Sequence, residues 1–409
     1  MRTIDNRKLN FIFVSLQRIF TDRESTATSI AKELAKQHNV LYVNAPIDRR
    51  TYWFGSSDRF VNNHIIRIRQ EASTLEKAGD NLWVLYPRKI IESINWIPNT
   101  PVFSLLNKVN NTRLAEEIAI AASEIGFEDY IIVNDKDIFR SFYLKELLAP
   151  LQYIYLDRDY IVGMDYWRRH GSKLEPDLIK KSDIVLCNSH GFRNRALRYN
   201  PESHYIGNGC DVERFNHQKQ HTIPEDLQQL TDKPVIGYVG ALLEIRLDIP
   251  LLEFLAKSRP EWNFVLVGGE DEVFQNSGLH QLTNIHFLGQ KDTGLTPAYV
   301  QNFDVCINPQ QINEITNDNY PLKIDEYLAM GRPVVATETN VMREVFSPVT
   351  YLATDQQGFL EKIEQALRDG DREEDVKRRI SMAKSHSWHA ITDRVVAIIS
   401  SVNQRIELN

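Results

Sequence analysis

The sequence predicts an α/β protein made of two βα domains with parallel sheets, and three observations carry that prediction. Short apolar, β-branched runs alternate with longer helical patterns; a polar stretch near the middle interrupts the alternation; beyond it the alternation begins again. In the first half the strand-like runs are LNFIFVS (9–15), NVLYVN (39–44), NLWVLYP (81–87), DYIIVN (129–134), LQYIYLD (151–157), DIVLCNS (183–189) and SHYIGNG (203–209). Between the first two lies TATSIAKELAKQ, where Ile30, Leu34 and the neighbouring alanines make one apolar helix face that Thr26 or Thr28 would cap. After HQKQHTIPEDLQQLTDKP (217–234) come VIGYVG (235–240), NFVLVGG (263–269), NIHFLG (284–289), DVCINP (304–309), PVVAT (333–337) and TYLA (350–353). Ligands of such domains bind at the carboxyl ends of the strands.

Composition narrows the function classes. At 409 residues the chain has room for two or three domains, and 42% hydrophobic residues are ample for full cores, which excludes disorder. The formal charge of -7 divides unevenly, about +3 up to residue 217 and about -10 after it. A modest acidic balance is the wrong surface for a dedicated nucleic-acid binder. No run approaches the length of a membrane span, and the opening MRTIDNRKLN lacks a secretory apolar core, so a cytoplasmic protein is expected. Cys187, Cys210 and Cys306 form no CxxC pair and are expected as small core hydrophobes. The closest histidine groupings, His217/His221 and His386/His389, lack a paired acid cluster, so no metal site is expected.

The segment NDNYPLKIDEYLAMGRPVVAT (317–337) holds the most chemistry. Pro321 suits the first position of a helix, and Gly331 with Pro333 supplies its stop, which predicts a helix at about 321–330 leading into a buried strand at Val334. The amides of Leu322 and Lys323 would leave the helix N-terminus open to an anion such as a phosphate, and Lys323 adds a full positive charge. Glu326 follows on the same helix face, and Asp318 precedes the helix. A carboxylate has two oxygens for a vicinal diol, so the segment would hold a sugar, a diphosphate and a ribose in sequence. On spacing alone Lys323 and Glu326 also fit a solvated helix pair.

This segment resembles the retaining, family-4-like glycosyltransferases (glycosyl transferases group 1) of GT-B fold. The shared features are an acidic pair separated by seven residues, Asp318 and Glu326, and the helix, glycine turn and strand of EYLAMGRPVVAT. IGNGCDVERF (206–215), IGYVGALLEIRLDIPLLEFLA (236–256), FDVCINP and the tail SHSWHAITDRVVAIISSV agree in order, and the PLKxxEYLAxGxPVV pattern is most similar to bacterial polysaccharide and teichuronic-acid-type transferases. The resemblance implies two Rossmann-like domains facing a cleft. Residues 1–217 would be the acceptor side, 218–385 the nucleotide-sugar side, and 386–409 a helix crossing back to the first domain. It implies that Glu326 binds ribose hydroxyls, Asp318 the donor sugar, and Leu322 and Lys323 the diphosphate, with Gly240, Arg246 and Tyr320 also at the donor. Asp318, Arg246 and Lys323 would be catalytic. On the acceptor side Ser15, Asn134, Asp157 and Asp159 are the candidates.

The sequence departs from the family pattern in places. Ala241 follows Gly240 where an Arg is common, leaving Arg246 and Lys323 to share phosphate neutralisation. Pro321 stands where a glycine is common, and the first acid is Asp rather than Glu. The expected partners are a nucleotide sugar, UDP-linked by resemblance, and a glycan or lipid-linked glycan acceptor, with peripheral contact at the inner membrane face and no nucleic acid. No cofactor is expected, and no dedicated base is required if the leaving phosphate takes the acceptor proton. A glycosidase, a nucleotide-sugar 2-epimerase and a catalytically silent GT-B scaffold are the competing classes.

Overall fold

The computed structural model describes residues 8–21 and 25–408, with side chains up to Asn403; residues 1–7, within the opening segment discussed above, lie outside the described residues. The chain forms two compact units, Met1–Ile206 with Ile391–Asn409, and Gly207–Ala390.

In the first unit eight strands form one sheet: β1 (Asn10–Ser15), β2 (Asn39–Val43), β3 (Leu75–Gly79), β4 (Leu82–Leu85), β5 (Ile131–Asp135), β6 (Gln152–Asp157), β7 (Ile184–Cys187) and β8 (Ser203–Tyr205). Their order is β3-β4-β2-β1-β5-β6-β7-β8, parallel throughout except for the antiparallel β3–β4 pair. All seven expected runs are strands. The one strand the sequence did not predict is β3, because LEKAG is a polar, mostly exposed edge with no apolar alternation. The first helix, Thr26–Leu34, is capped by Ser25 rather than by Thr26 or Thr28; Ser25 and Thr28 bond reciprocally as a capping box.

The second unit contains β9 (Val235–Val239), β10 (Asn263–Val267), β11 (Ile285–Phe287), β12 (Val305–Asn308), β13 (Val334–Thr337) and β14 (Tyr351–Ala353), in the all-parallel order β11-β10-β9-β12-β13-β14. Alternate residues feed two cores. Val235, Val265, Cys306 and Val334 face one, while Ile236, Phe264, Ile307 and Val335 face the other. The strand order reverses between β9 and β12, so the carboxyl ends of these two strands form the crevice where a ligand is expected. All three cysteines are buried and free.

The unit limits differ from the expected 217 and 385. Gly207–His217 belongs to the second unit, and the reason is local: Cys210 and Phe215 are buried in its core, and the Cys210 N–H donates to the His386 carbonyl at 2.8 Å. Residues 386–390 remain with that unit as well. From Ile391 onward the last helix, Trp388–Leu408, belongs to the first unit. There Ile391, Val395, Ile399 and Val402 are buried at helical spacing, and Arg394 donates to the Ile206 carbonyl. No helix among the described residues is long and apolar enough to cross a membrane.

Candidate functional site

The expected helix at 321–330 is Leu322–Ala329. Pro321 stands at its N-cap, and among the described residues no side chain caps the first amides. After it Gly331 adopts φ +73°, the left-handed turn that glycine accommodates without penalty. The helix joins β12 to β13, so its N-terminus stands at the crevice between β9 and β12.

Lys323 reaches back across that crevice. Its ammonium donates to the Tyr238 hydroxyl at 2.6 Å and lies 4.2 Å from the centre of the Tyr238 ring. Gly240, at φ +146°, makes room for it: a Cβ there would come within 3.0 Å of Lys323 Nζ and Cε. The partner of this cation is thus a neutral phenol, and no carboxylate is bonded to it among the described residues. A neutral partner leaves the charge available to an anion.

One turn along, Glu326 faces Arg214, whose Nη2 is 3.7 Å from Oε1. Burial pushes the Glu326 carboxyl up to about 7, against the opposing pull of Arg214 and Lys323; Asp325 and Asp211 push it the same way as burial. Its neighbour Asp325 is fully buried and points inward, accepting from the Tyr320 hydroxyl at 2.7 Å and bonded to His386 Nδ1 at 2.8 Å. Burial raises this carboxyl too, and the His386 and Tyr320 bonds oppose the rise. The pair fastens the helix to the chain around His386.

Asp318 precedes the helix and is partly buried, with Oδ1 accepting from Asn340 Nδ2 at 2.9 Å. Arg246 lies in the loop after β9. It is exposed, and its guanidinium makes no hydrogen bond or ion pair among the described residues. The loop itself is held to the segment leading to Asp318: the Arg246 carbonyl accepts from the Gln311 N–H at 2.9 Å, and the Ile245 carbonyl from Asn313 Nδ2 at 2.8 Å.

The structure therefore brings Gly240, Lys323 and the Leu322 amide together at one helix end, with Glu326 a turn away. Tyr320 differs from expectation. Its side chain is 4% exposed and its hydroxyl is used on Asp325, so it supports the helix from behind instead of facing a ligand. Sequence reasoning missed Tyr238, Asn340 and the role of Arg214. Arg214 stands in the IGNGCDVERF motif, but only the fold puts that motif beside Glu326.

The first-unit candidates have a different fate. Ser15 is fully buried and donates to Asp135 at 2.6 Å. Asn134 is buried between Asp137 and the Tyr153 hydroxyl. Asp157, also fully buried, is paired with Lys136 and with Arg195. Burial alone would raise its carboxyl, but these two cations outweigh burial and hold it below the usual carboxylate range. Asp159 is bound to Arg158, which also grips Asp135. Asp157 is neutralised inside the unit and presents no free face to an acceptor, whereas Asp159 is partly exposed and paired through one oxygen. Among the described residues no cluster of three or more His, Cys, Asp or Glu is arranged to hold a metal ion.

Comparison with known proteins agrees with this geometry. Residues 233–369 match the family Glycosyl transferases group 1. A Bacillus subtilis (strain 168) protein that carries the name teichuronic acid biosynthesis glycosyltransferase TuaH is 25% identical over 243 residues, 57% of this chain and 60% of that protein. The match thus spans about three fifths of that relative's length. Among solved structures, sucrose-phosphate synthase from Thermosynechococcus elongatus aligns over 98% of this chain and 100% of its own, with a TM-score of 0.67 at 16% identity. The Anabaena HepE protein in complex with UDP aligns over 97% and 100%, with a TM-score of 0.64 at 15% identity. An Escherichia coli structure bound with UDP-2-fluoro glucose aligns over 96% and 99%, with a TM-score of 0.67 at 12% identity. The chain has the GT-B fold, and its residues 233–369 match the glycosyl transferases group 1 family.

Proposed function

We propose that this protein is a retaining glycosyltransferase that moves a sugar from a UDP-sugar to a glycan or lipid-linked glycan in the building of a bacterial cell-surface polysaccharide. The observation that carries the proposal is the Lys323 ammonium, held at Gly240 by a neutral tyrosine beside an open helix N-terminus, with Glu326 one turn later. That arrangement suits a nucleoside diphosphate. The Leu322 and Lys323 amides and the Lys323 ammonium would take the phosphates, and Glu326 would accept from the ribose hydroxyls. Two structural neighbours hold UDP or a UDP-sugar analogue, and the TuaH relative is named for teichuronic acid biosynthesis, which supports the choice of donor and pathway class.

In the proposed reaction the anomeric bond breaks as negative charge grows on the leaving diphosphate. Lys323, Arg246 and the helix amides strengthen their contacts as that charge develops, which is the differential binding that lowers a barrier. Asp318 holds the donor sugar, with Asn340 fixing one of its oxygens. The leaving phosphate takes the acceptor proton, so the protein supplies no base, and these cations take the neutralising role with no metal in the chemical step. The enzyme would act in the cytoplasm, in peripheral contact with the inner membrane face.

The test is a screen of UDP-, GDP-, ADP- and dTDP-sugars by binding and by slow donor hydrolysis, with Glu326→Ala as control. Binding of UDP-sugars that Glu326→Ala weakens is expected; no nucleotide binding to the wild-type chain would overturn the donor assignment. Product anomeric configuration by NMR distinguishes retention from inversion. Chelation with EDTA is expected to leave turnover intact, and loss that returns with added metal would remove the metal-free step. Nucleotide binding without turnover on any acceptor would instead favour a silent scaffold.

A further inference from the structure

The first unit contains a cavity of about 830 Å³ at the carboxyl ends of its strands, lined by residues that follow β1, β2, β4, β5 and β6. None of the expected acceptor residues lines it. Its wall combines two features that a simple packing defect would not. One is an aromatic platform: Trp96 is 73% exposed, yet its indole N–H donates to the Ser93 carbonyl at 2.8 Å, so the ring is held while its face stays open. Tyr166, 60% exposed, adds a second ring.

The other feature is an imbalance of charge satisfaction. Two acids on the wall are already occupied: Asp48 accepts from the amides of Arg50 and Thr51 and from the hydroxyls of Thr51 and Ser93, and Glu92 is paired with Arg49 and Arg113. The third, Asp165, pairs at the surface with Arg168. The cations are not so occupied. Arg140 spends only its Nε on Asp137, Arg169 bonds to the carbonyls of Asn95 and Trp96, and the Arg50 guanidinium makes no bond among the described residues. Asn95, also on the wall, has a buried Oδ1 with no hydrogen-bond partner while its Nδ2 donates to the Tyr166 carbonyl at 2.8 Å. Fixed aromatic faces suit the apolar side of a sugar ring, an orphan amide oxygen suits a hydroxyl, and guanidinium groups with unused N–H donors, such as the Nη groups of Arg140, suit a planar or tetrahedral oxyanion.

We propose that this cavity is the acceptor site and that it takes a sugar carrying an anionic group, carboxylate or phosphate, stacked on Trp96 and held by Arg140 and Arg169. The proposal rests on the glycosyltransferase reading for the word acceptor, but the binding chemistry stands on the cavity alone.

The full chain is titrated with a glucuronate-terminated disaccharide, with glucose 1-phosphate and with neutral maltose, followed by calorimetry, and with UDP in parallel. At least one anionic probe is expected to bind about tenfold or more tighter than maltose, and raised salt weakens only the anionic probes. Arg140→Gln with Arg169→Gln cancels that preference, Trp96→Ala weakens all three sugars, and UDP binding is unchanged in both variants, which also reports that they are folded. The tighter of the two anionic probes identifies the group as uronate or phosphate. Anionic probes that bind no better than maltose, or sugar binding indifferent to Trp96→Ala, would overturn the proposal. Wild-type protein that binds the anionic sugar but no nucleotide would instead sink the donor reading and leave this site standing.

Discussion

Two clusters of carboxylates and cations, one in each unit, stand near the carboxyl ends of a parallel sheet, yet they are used in opposite ways. In the first unit Lys136, Asp157, Glu175 and Arg195 are closed into a buried network, with Lys136 at 1% exposure and Asp157 at 0%. In the second, Lys323 rests on a neutral tyrosine, the Arg246 guanidinium has no partner among the described residues, and burial raises the Glu326 carboxyl to about 7. A saturated cluster stabilises one conformation and has nothing left for a ligand. An under-satisfied one carries a standing cost that a ligand can relieve. The net charge of the second half is a poor guide to its site, because an anion is met by Lys323 and a helix end and not by the domain average.

The largest effect should come from breaking the saturated side. Lys136→Met leaves Asp157 and Glu175 short of a buried partner, and a loss of about 3–5 kcal/mol is expected in denaturant unfolding, with UDP affinity of the folded protein unchanged. An unchanged midpoint would mean the network is not a structural one.

Next is Arg246→Ala, for which kcat should fall by about a hundredfold while donor Kd moves much less, since the contact strengthens only as the leaving group gains charge. A raised KM with unchanged kcat would assign Arg246 to ground-state binding alone.

Gly240→Ala places a methyl against Lys323 at a backbone angle that side chains rarely adopt. A fall of about tenfold in UDP affinity is expected from calorimetry, with unfolding less affected than in Lys136→Met.

The smallest effect is a pH slope from Glu326. Its folded value of about 7 lies above its ordinary value of 4.5, so the folded state holds the extra proton between them. Stability should therefore decline as pH rises through that window, while affinity for UDP should improve as the ribose-accepting carboxylate forms. Glu326→Gln should flatten the stability slope, measured as Tm against pH; a slope that persists belongs to another group.

Much of the fold was legible because its signals are local. Thirteen apolar runs marked thirteen of the fourteen strands among the described residues, and Pro321 and Gly331 marked the two ends of the key helix. The exception, β3, pairs at a polar edge, where no side chain has to be apolar. The helix Leu322–Ala329 was legible for the same reason. Its inner face was not: neighbouring helix residues point about 100° apart, and whether Asp325 or Glu326 turns inward depends on the packing of Tyr320 and His386. For the first-unit candidates, an acid at a strand end looks the same in sequence whether it is open to a ligand or closed into a buried ion pair.

What the sequence alone determined is therefore the periodicity: where strands and helices run, where the alternation restarts, and which helix end is open to an anion. What only the tertiary structure decided is the state of each charge. Lys136 meets Glu175 across 39 residues of chain, and Lys323 meets Tyr238 across 85. Secondary-structure signals come from neighbours in sequence, whereas neutralisation comes from neighbours in space, and that second set decides which carboxylates and cations remain available for chemistry.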